Sequence, residues 1–401
     1  MEINLQINDD FFKFIKEHIV EDPVKLRLKY YNSQLPFDVM FAITQIECRQ
    51  RTKKKLPEIL NHQNFIFPTK LLSEQSTDEI VAKLHSELFE ECNYVVDMTA
   101  GLCIDTYYIS KNVKHVLAIE MDVNAAKVAE YNISLLSKNI SVICADSTEY
   151  ILDNDIKADA IFVDPARRDN NKNRVYNLAD CSPNIIDFQQ ELKNRCDFAI
   201  VKASPMIDIT DTIRRIHNIS NIYIIGLKNE CKEILFKIDF KSQPESVNIK
   251  TINYVSDGVQ RFDYIYESTT KSPINSAPIK DSYLYEPNCC IMKSGAYNIL
   301  SERHNINPIS DNTHIFTSTI LYSDFPGRIF NIEKVLPYKK NKMKGFNKIY
   351  PQINIATRNF PYSPEVLKKE LKIKDGGDKY LFGITCQDKT PLLLICSKVS
   401  V

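Results

Sequence analysis

Glycine is scarce in this chain, nine residues in 401, so one that directly follows an apolar run marks a place where the backbone needs unusual freedom. No apolar run reaches 18 residues, which excludes a membrane-spanning helix of ordinary length. No charged leader followed by an apolar stretch and no lipidation signal is found, so neither secretion nor membrane anchoring is expected. The eleven cysteines are odd in number and scattered, with no CxxC pair, and only Cys289 and Cys290 are adjacent. That is the usage of reduced thiols in a cytoplasmic protein, and it offers no zinc-ligand spacing. The seven histidines are equally dispersed, so no metal-dependent mechanism is expected. Fifty-one basic side chains balance 51 acidic ones, and overall charge therefore does not advertise a nucleic-acid partner.

What is present is 44% hydrophobic and 25% charged sequence, enough for two or three soluble domains. The first 90 or so residues read as a small helical bundle. "NDDFFKFIKEHI" opens on acids suited to an N-cap, and "PFDVMFAITQIECRQR" ends on basic residues that suit a helix C-terminus. "EQSTDEIVAKLHSELFEE" offers Ser76 or Thr77 as a cap, with Ile80, Leu84 and Leu88 on one face. From residue 93 short apolar runs take over: "YVVDM", "VLAIE", "ISVICA", "DAIFVD", "FAIVKA", "NIYIIGL" and "ILFKIDF". Helical stretches separate the first six, which predicts a parallel sheet covered on both faces. Only a turn separates the last two, and a closing antiparallel hairpin is the mark of the class I methyltransferase sheet. After about 245, short strands and helices suggest one or two small α+β modules.

In an open parallel sheet, ligands bind at the carboxyl ends of the strands. Asp97, Glu120 and Asp164 end three of the runs, and "CADS" puts Asp146 on the same rim. Four carboxylates on one edge repel each other and serve stability poorly. Each has a task if the ligand is S-adenosylmethionine. Gly101 lets the backbone approach the amino-acid part, and Asp97 reaches its ammonium group, with Thr99 and Asp105 in the same cofactor loop. Glu120, 23 residues beyond Asp97, suits the ribose hydroxyls, and Asp146 suits the adenine amino group. Without GxxxxGK[ST], a triphosphate is excluded. NAD is the competitor, but its pyrophosphate needs a glycine-lined helix start where Cys103, Ile104 and Asp105 stand; an acid there repels phosphate and attracts a sulfonium. Helix capping is the alternative role for these acids.

The fourth strand continues as "IFVDPARR". Amino-group methyltransferases commonly carry Asp/Asn-Pro-Pro-aromatic here, the carboxylate and a proline carbonyl accepting from the target nitrogen. Asp164 and Pro165 are kept, while Arg167 replaces the aromatic, so a guanidinium takes over base stacking or phosphate contact. Asp164, Pro165 and Arg167 are the catalytic candidates, and Arg168 joins the substrate side. C5-uracil methyltransferases have a cysteine after the fifth strand, where "VKASP" places Ser204, so covalent C5 chemistry is rejected. Lys202 and Ser204 shape a substrate pocket, or Lys202 is a strand-end charge in solvent. From Arg328 to Lys374 there are twelve Lys/Arg against three Glu, a basic face for a phosphate backbone or a solvated lysine loop.

Together, "FPTKLLSEQSTDE", "VVDMTAG", "AIEMD", "DPARR", "VKASP", "YLYEPNCCIMKSGAYN", "FPGRIF", "ATRNFP" and "DGGDKYLF" resemble a bacterial family of class I S-adenosylmethionine-dependent methyltransferases with a THUMP-like C-terminal domain, common in the Bacteroidetes. The resemblance implies an α/β fold: a Rossmann-like seven-stranded sheet, a helical N-terminal region, and small ferredoxin-like and THUMP-like α+β domains. The expected division is 1–75 helical, 76–245 methyltransferase, 246–325 linker and ferredoxin-like module, and 326–401 THUMP-like. True THUMP domains deliver structured RNA to attached enzymes, so rRNA or tRNA is the implied substrate, with a base nitrogen as the target. A non-catalytic RNA-binding or assembly protein, and a methyltransferase acting on protein or small molecules, are the alternatives. Related chains usually have glycine where Cys103 stands, and a Cβ there costs roughly 1 kcal/mol if φ is positive. Gln75 to Thr77, folding over the methionine end of the cofactor, are the expected compensation. The oligomeric state is not legible.

Overall fold

A computed structural model describes residues 7–167, 177–266, 275–339, 343 and 345–400. Arg168 and the lysines 340, 342 and 344 lie outside the described residues. The chain divides into two compact units, residues 1–220 with 235–245, and residues 221–234 with 246–401. Among the described residues no helix is long and apolar enough to cross a membrane.

The first unit opens with α1 (Asp9–His18), α2 (Pro23–Lys29) and α3 (Val39–Thr52). Asn8, and not the acids after it, caps α1 by accepting from the Phe11 N–H at 2.9 Å; Asp9 and Asp10 fall in the first turn. Phe11, Phe14, Leu26, Ile43 and Ile46 form the core of this bundle, packed onto Ile66 and Val128. Arg49, expected to face the helix dipole, instead reaches the carbonyls of Gln63 and Phe65. Those bonds, with a Gln45 amide paired both ways to Phe67 (2.7 and 2.9 Å) and an Asn132 amide paired both ways to Ile66 (2.8 and 3.0 Å), strap segment 63–67 to the helices. Buried backbone here needs such partners because no strand supplies them.

Two further helices follow, α4 (Lys70–Gln75) and α5 (Glu79–Glu87). Asp78, rather than Ser76 or Thr77, occupies the cap position of α5. The buried face is also rotated from the one expected: Ile80 is exposed, while Val81, Leu84 and His85 are buried. A polar side chain thus takes a core position that apolar periodicity assigns elsewhere.

The sheet then alternates strand and helix: β1 (Tyr94–Asp97), α6 (Ile104–Ser110), β2 (His115–Glu120), α7 (Val123–Leu136), β3 (Ile140–Cys144), α8 (Ser147–Asp153) and β4 (Ala158–Val163). A two-stranded ribbon, β5 (Ala166–Arg167) and β6 (Cys181–Ser182), precedes α9 (Ile185–Arg195), β7 (Cys196–Ala203), α10 (Ile209–Arg215), β8 (Ile219–Leu227) and β9 (Glu230–Asp239). The strand order β8-β9-β7-β4-β1-β2-β3 is the class I methyltransferase order, with β7, β4, β1, β2 and β3 parallel. Central strands carry Val95, Val96, Ala160, Ile161 and Val163 at 0% exposure, as burial on both faces requires. Lys228 and Asn229 both take positive φ in the β8–β9 turn, the geometry that matches hairpin twist. The apolar runs from 94 to 240 therefore fall on strands as expected.

The second unit takes in β8 from Asn221 on; β10 (Asn248–Val255) runs parallel to that part of β8 and β11 (Gly258–Ile265) antiparallel to β10. There follow β12 (Tyr283–Pro287), α11 (Cys289–Ser294), α12 (Tyr297–His304), β13 (Asn307–Pro308), β14 (Phe316–Ser318), β15 (Gly327–Pro337), α13 (Phe346–Ile349), β16 (Asn354–Arg358), α14 (Pro364–Leu371), β17 (Lys379–Thr385) and β18 (Pro391–Lys398). Their sheet has the order β13-β14-β12-β15-β18-β17-β16. Phe330, Ile332, Phe382 and Leu394 line one core, and Leu367, Leu381, Leu393 and Ile395 another.

Candidate active site

The carboxyl ends of β1, β2 and β4 meet at the loop from residue 98 to 103, and the end of β7 reaches Asp164 through Lys202. That loop is tight: the Ala100 N–H bonds the Ile119 carbonyl at 3.0 Å, and the Cys103 N–H bonds the Ala100 carbonyl at 2.7 Å. Gly101 has φ +51 and Cys103 has φ +57, so two of three consecutive turn positions are left-handed and only one is glycine. Cys103 holds the cap position of α6, with its side chain buried among Ala100, Ala118, Ala129 and Ile133. Burial pushes its thiol well above the ordinary range, so it is a neutral packing group.

Asp97 is 1% exposed. Its carboxylate accepts from the Thr99 N–H at 3.0 Å and the Thr106 hydroxyl at 2.6 Å. Burial drives its pKa from 3.8 up to about 7; Thr106 and Thr99 oppose this, and the nearby Asp105 and Asp164 add to it. Glu120 grips both sides of its strand end, accepting from the Gly101 N–H and the Asp122 N–H at 2.8 Å each. Glu120 thereby joins the glycine loop to the end of β2.

Asp105 lies in the first turn of α6, facing α5. It accepts from Thr77 Oγ1 at 2.6 Å and pairs with His85 Nδ1 at 2.8 Å. Burial raises its carboxyl, but Lys202, His85 and Thr77 outweigh that and hold it at about 2. Lys202, on β7, donates to Asp164 Oδ2 at 2.8 Å and to Thr77 Oγ1 at 3.0 Å. With its side chain 12% exposed, Lys202 is not a solvent-facing strand end. Asp164 is anchored a second way, its N–H donating to Thr99 Oγ1 at 2.6 Å. His85, Asp105, Thr77, Lys202 and Asp164 therefore form one continuous polar chain.

Of the residues singled out in the sequence, Thr77, Asp97, Thr99, Asp105, Asp164 and Lys202 lie in this connected group, with Gly101 and Glu120 beside it. Asp146 makes local contacts, capping α8 through the N–H groups of Thr148 and Glu149 and the Thr148 hydroxyl, which also hold its carboxyl below the ordinary range. Ser204 accepts from the Met206 N–H at 3.3 Å in the turn after β7. Gln75 ends α4 and is exposed. Pro165 is half-buried, and the backbone of Arg167 pairs with Cys181 in the β5–β6 ribbon. His85 and Thr106 are the members that sequence reasoning missed. Each sits on a helix one turn from an apolar neighbour, a spacing that resembles core packing. Among the described residues, no group of three or more His, Cys, Asp or Glu is gathered to hold a metal ion.

The donor set suits a cation. Asp97, Glu120 and Asp164 surround a loop whose backbone at Gly101 carries no Cβ, and Lys202 is already matched by Asp105 and Asp164. A ligand with an ammonium and a sulfonium meets carboxylates there, while a pyrophosphate would meet them too and be repelled.

The profile of a THUMP domain-like family matches residues 327–398, and that of a ferredoxin-like domain family matches residues 283–326. A candidate methyltransferase from Porphyromonas gingivalis W83, known from its crystal structure, is 31% identical over 100% of both chains, with a TM-score of 0.89. TrmK of M. capricolum, solved with S-adenosyl-homocysteine, is 11% identical over 41% of this chain and 70% of its own, with a TM-score of 0.32. A candidate RNA methyltransferase of Pyrococcus horikoshii is 15% identical over 47% and 98%, with a TM-score of 0.34. Among curated proteins none matches this chain.

Proposed function

We propose that this chain, which belongs to the bacterial family of class I methyltransferases with a THUMP-like C-terminal domain, transfers a methyl group from S-adenosylmethionine to a base nitrogen of structured RNA. The observation that carries the reading is Asp164. It stands at the end of β4 with one carboxylate oxygen held by Lys202, and its side chain is still 42% exposed. A carboxylate steadied in this way and open to solvent can accept an N–H of a target amine, and the Pro165 carbonyl is the second acceptor.

When bound, S-adenosylmethionine supplies an activated methyl group on a good leaving group. Asp97 would take its ammonium, Gly101 would admit its backbone-facing part, and Glu120 its ribose. Thr77 and Asp105 complete the wall, and Asp146, at the start of α8, is the proposed adenine partner. The work left to the protein is orientation: Asp164 turns the nitrogen lone pair toward the methyl carbon and stabilises the positive charge that grows on nitrogen. Lys202 fixes Asp164, and Asp105 offsets the charge of Lys202, which would otherwise repel a sulfonium. Arg167, Arg168 and Ser204 are the proposed substrate contacts.

Label transfer from methyl-labelled S-adenosylmethionine into cellular RNA, protein and small-molecule fractions tests this. Labelled RNA, lost in Asp164→Ala while cofactor binding persists, is the expected result; label entering only protein or small molecules refutes the RNA assignment. The left-handed Cys103 favours a second reading, a non-catalytic RNA-binding protein. Absence of both label and cofactor binding would select it.

A further inference from the structure

In the second unit three separate stretches meet on one carboxylate. Glu286, within "YEPN" on β12, is 4% exposed. Its Oε2 accepts from Arg328 Nε at 2.7 Å and also pairs with Arg328 Nη2, while its Oε1 accepts from Arg358 Nη2 at 2.6 Å. Arg328 belongs to "FPGRIF", 42 positions along the chain, and Arg358 to "ATRNFP", 72 positions along. Glu286 and Arg328 face each other in the β12–β15 register. Gly327 permits this approach, since a Cβ there would overlap the Glu286 carbonyl. β16 stands four places from β12 in the strand order. At about 4.8 Å per strand a flat sheet would hold Arg358 at least roughly 19 Å away, and the registers set it level with Pro337 and not with Arg328, so the sheet curls to deliver it.

One buried carboxylate needs one cation, and this one has two. The guanidinium side chains keep 40% and 39% of their surface in water, against 5% for Glu286. A second arginine adds repulsion and little stability if neutralising Glu286 is the only purpose. Both forks are also held in place: Arg358 Nη1 donates to the Thr357 carbonyl at 2.9 Å, and Arg328 lies over the Phe330 ring at 5.6 Å. The half-buried ring of His314 stacks on Tyr297 at 4.1 Å. Burial, and then the charge of Arg358, hold His314 below its usual pKa.

We propose that Arg328 and Arg358 form a phosphate clamp for the backbone of structured RNA, with Glu286 as the buried post that aims both guanidinium groups. Planar forks preset in this way match the two oxygens of a phosphodiester. The clamp rests on the RNA reading above and gives it a docking point outside the methyl-transfer rim.

Fluorescence anisotropy of labelled bulk tRNA with the full-length chain, over a salt series, tests it. Glu286→Gln/Arg328→Gln/Arg358→Gln removes the clamp without leaving a buried charge unpaired, and a cooperative thermal melt confirms that the variant folds. Arg328→Lys/Arg358→Lys keeps the charge and loses the fork. The triple variant should bind about tenfold more weakly or worse, with the log–log salt slope reduced by about 1.5 to 2. The lysine pair should keep most of the slope and lose part of the affinity. Unchanged affinity and slope in both variants overturn the clamp and leave the RNA reading standing, whereas no RNA binding by the wild-type chain overturns both. Poly-glutamate binding that is lost in the triple variant would assign the arginines to an acidic protein partner, and also overturns the clamp.

Discussion

Replacing Asp97 by asparagine should make the protein more stable at neutral pH. In the fold the Asp97 carboxyl holds its proton up to about pH 7, because burial penalises the charged form; in the unfolded chain it ionises near 3.8. Between those values unfolding releases a proton, so raising the pH favours the unfolded state. The stabilisation is complete below about pH 4 and is lost as pH climbs through 7. The span from 3.8 to about 7 is worth about 4 kcal/mol at about 1.4 kcal/mol per pH unit. In Asp97→Asn the amide keeps the shape and the Thr99 N–H bond, and the Thr106 hydroxyl can turn to accept from the new N–H. Urea denaturation of both proteins should therefore show the stability difference moving by about 3 kcal/mol toward the variant between about pH 5 and pH 8. A pH-independent difference would refute the burial argument.

The same linkage makes a statement about ligand. A cation seated beside Asp97 would draw its pKa down, so S-adenosylmethionine binding below pH 7 should release close to one proton. Calorimetry in two buffers of different ionisation heat measures that release directly, and Asp97→Asn should abolish it together with much of the affinity.

The strands are legible in the sequence because burial on both faces demands continuous apolar runs, and residues 94 to 240 supply them. The acids at strand ends are legible for a related reason, since a polar residue closing an apolar run has few positions to occupy. What escapes are decisions made by distant contacts. Thr77 looks like a helix cap, yet its hydroxyl serves Asp105, 28 positions on. Lys202 cannot be told from a solvent charge until Asp164 and Thr77, 38 and 125 positions away, are seen beside it. His85 breaks the apolar periodicity of its helix because a buried carboxylate needs a partner there. Arg328 and Arg358 are visible as motif residues, but only the curl of the second sheet brings them onto Glu286.

Lys202→Met should cost about 2 to 3 kcal/mol in urea denaturation at neutral pH, because Asp105 loses its strongest opposing charge while Asp164 can turn to water; additivity with Asp105→Asn in a double-mutant cycle would disprove the link. Glu79→Gln should cost about 2 to 3 kcal/mol, since the buried carboxylate accepts from the N–H groups of Glu58 and Ile59 at 2.9 and 2.7 Å and an amide can satisfy only one of them; a loss below about 0.5 kcal/mol would show that water replaces it. Cys103→Gly sets two effects against each other. Relief of the left-handed strain returns about 1 kcal/mol, but removing a thiol that is 1% exposed forfeits about 1 to 2 kcal/mol of packing, and glycine loosens the unfolded chain by about 0.5 to 1 kcal/mol more. Packing wins, so thermal unfolding should show a variant less stable by about 1 kcal/mol, while its freer loop binds S-adenosylmethionine more tightly. A variant more stable than the parent would mean that the strain at residue 103 outweighs its burial, and that this loop is held against its own preference by the rest of the fold.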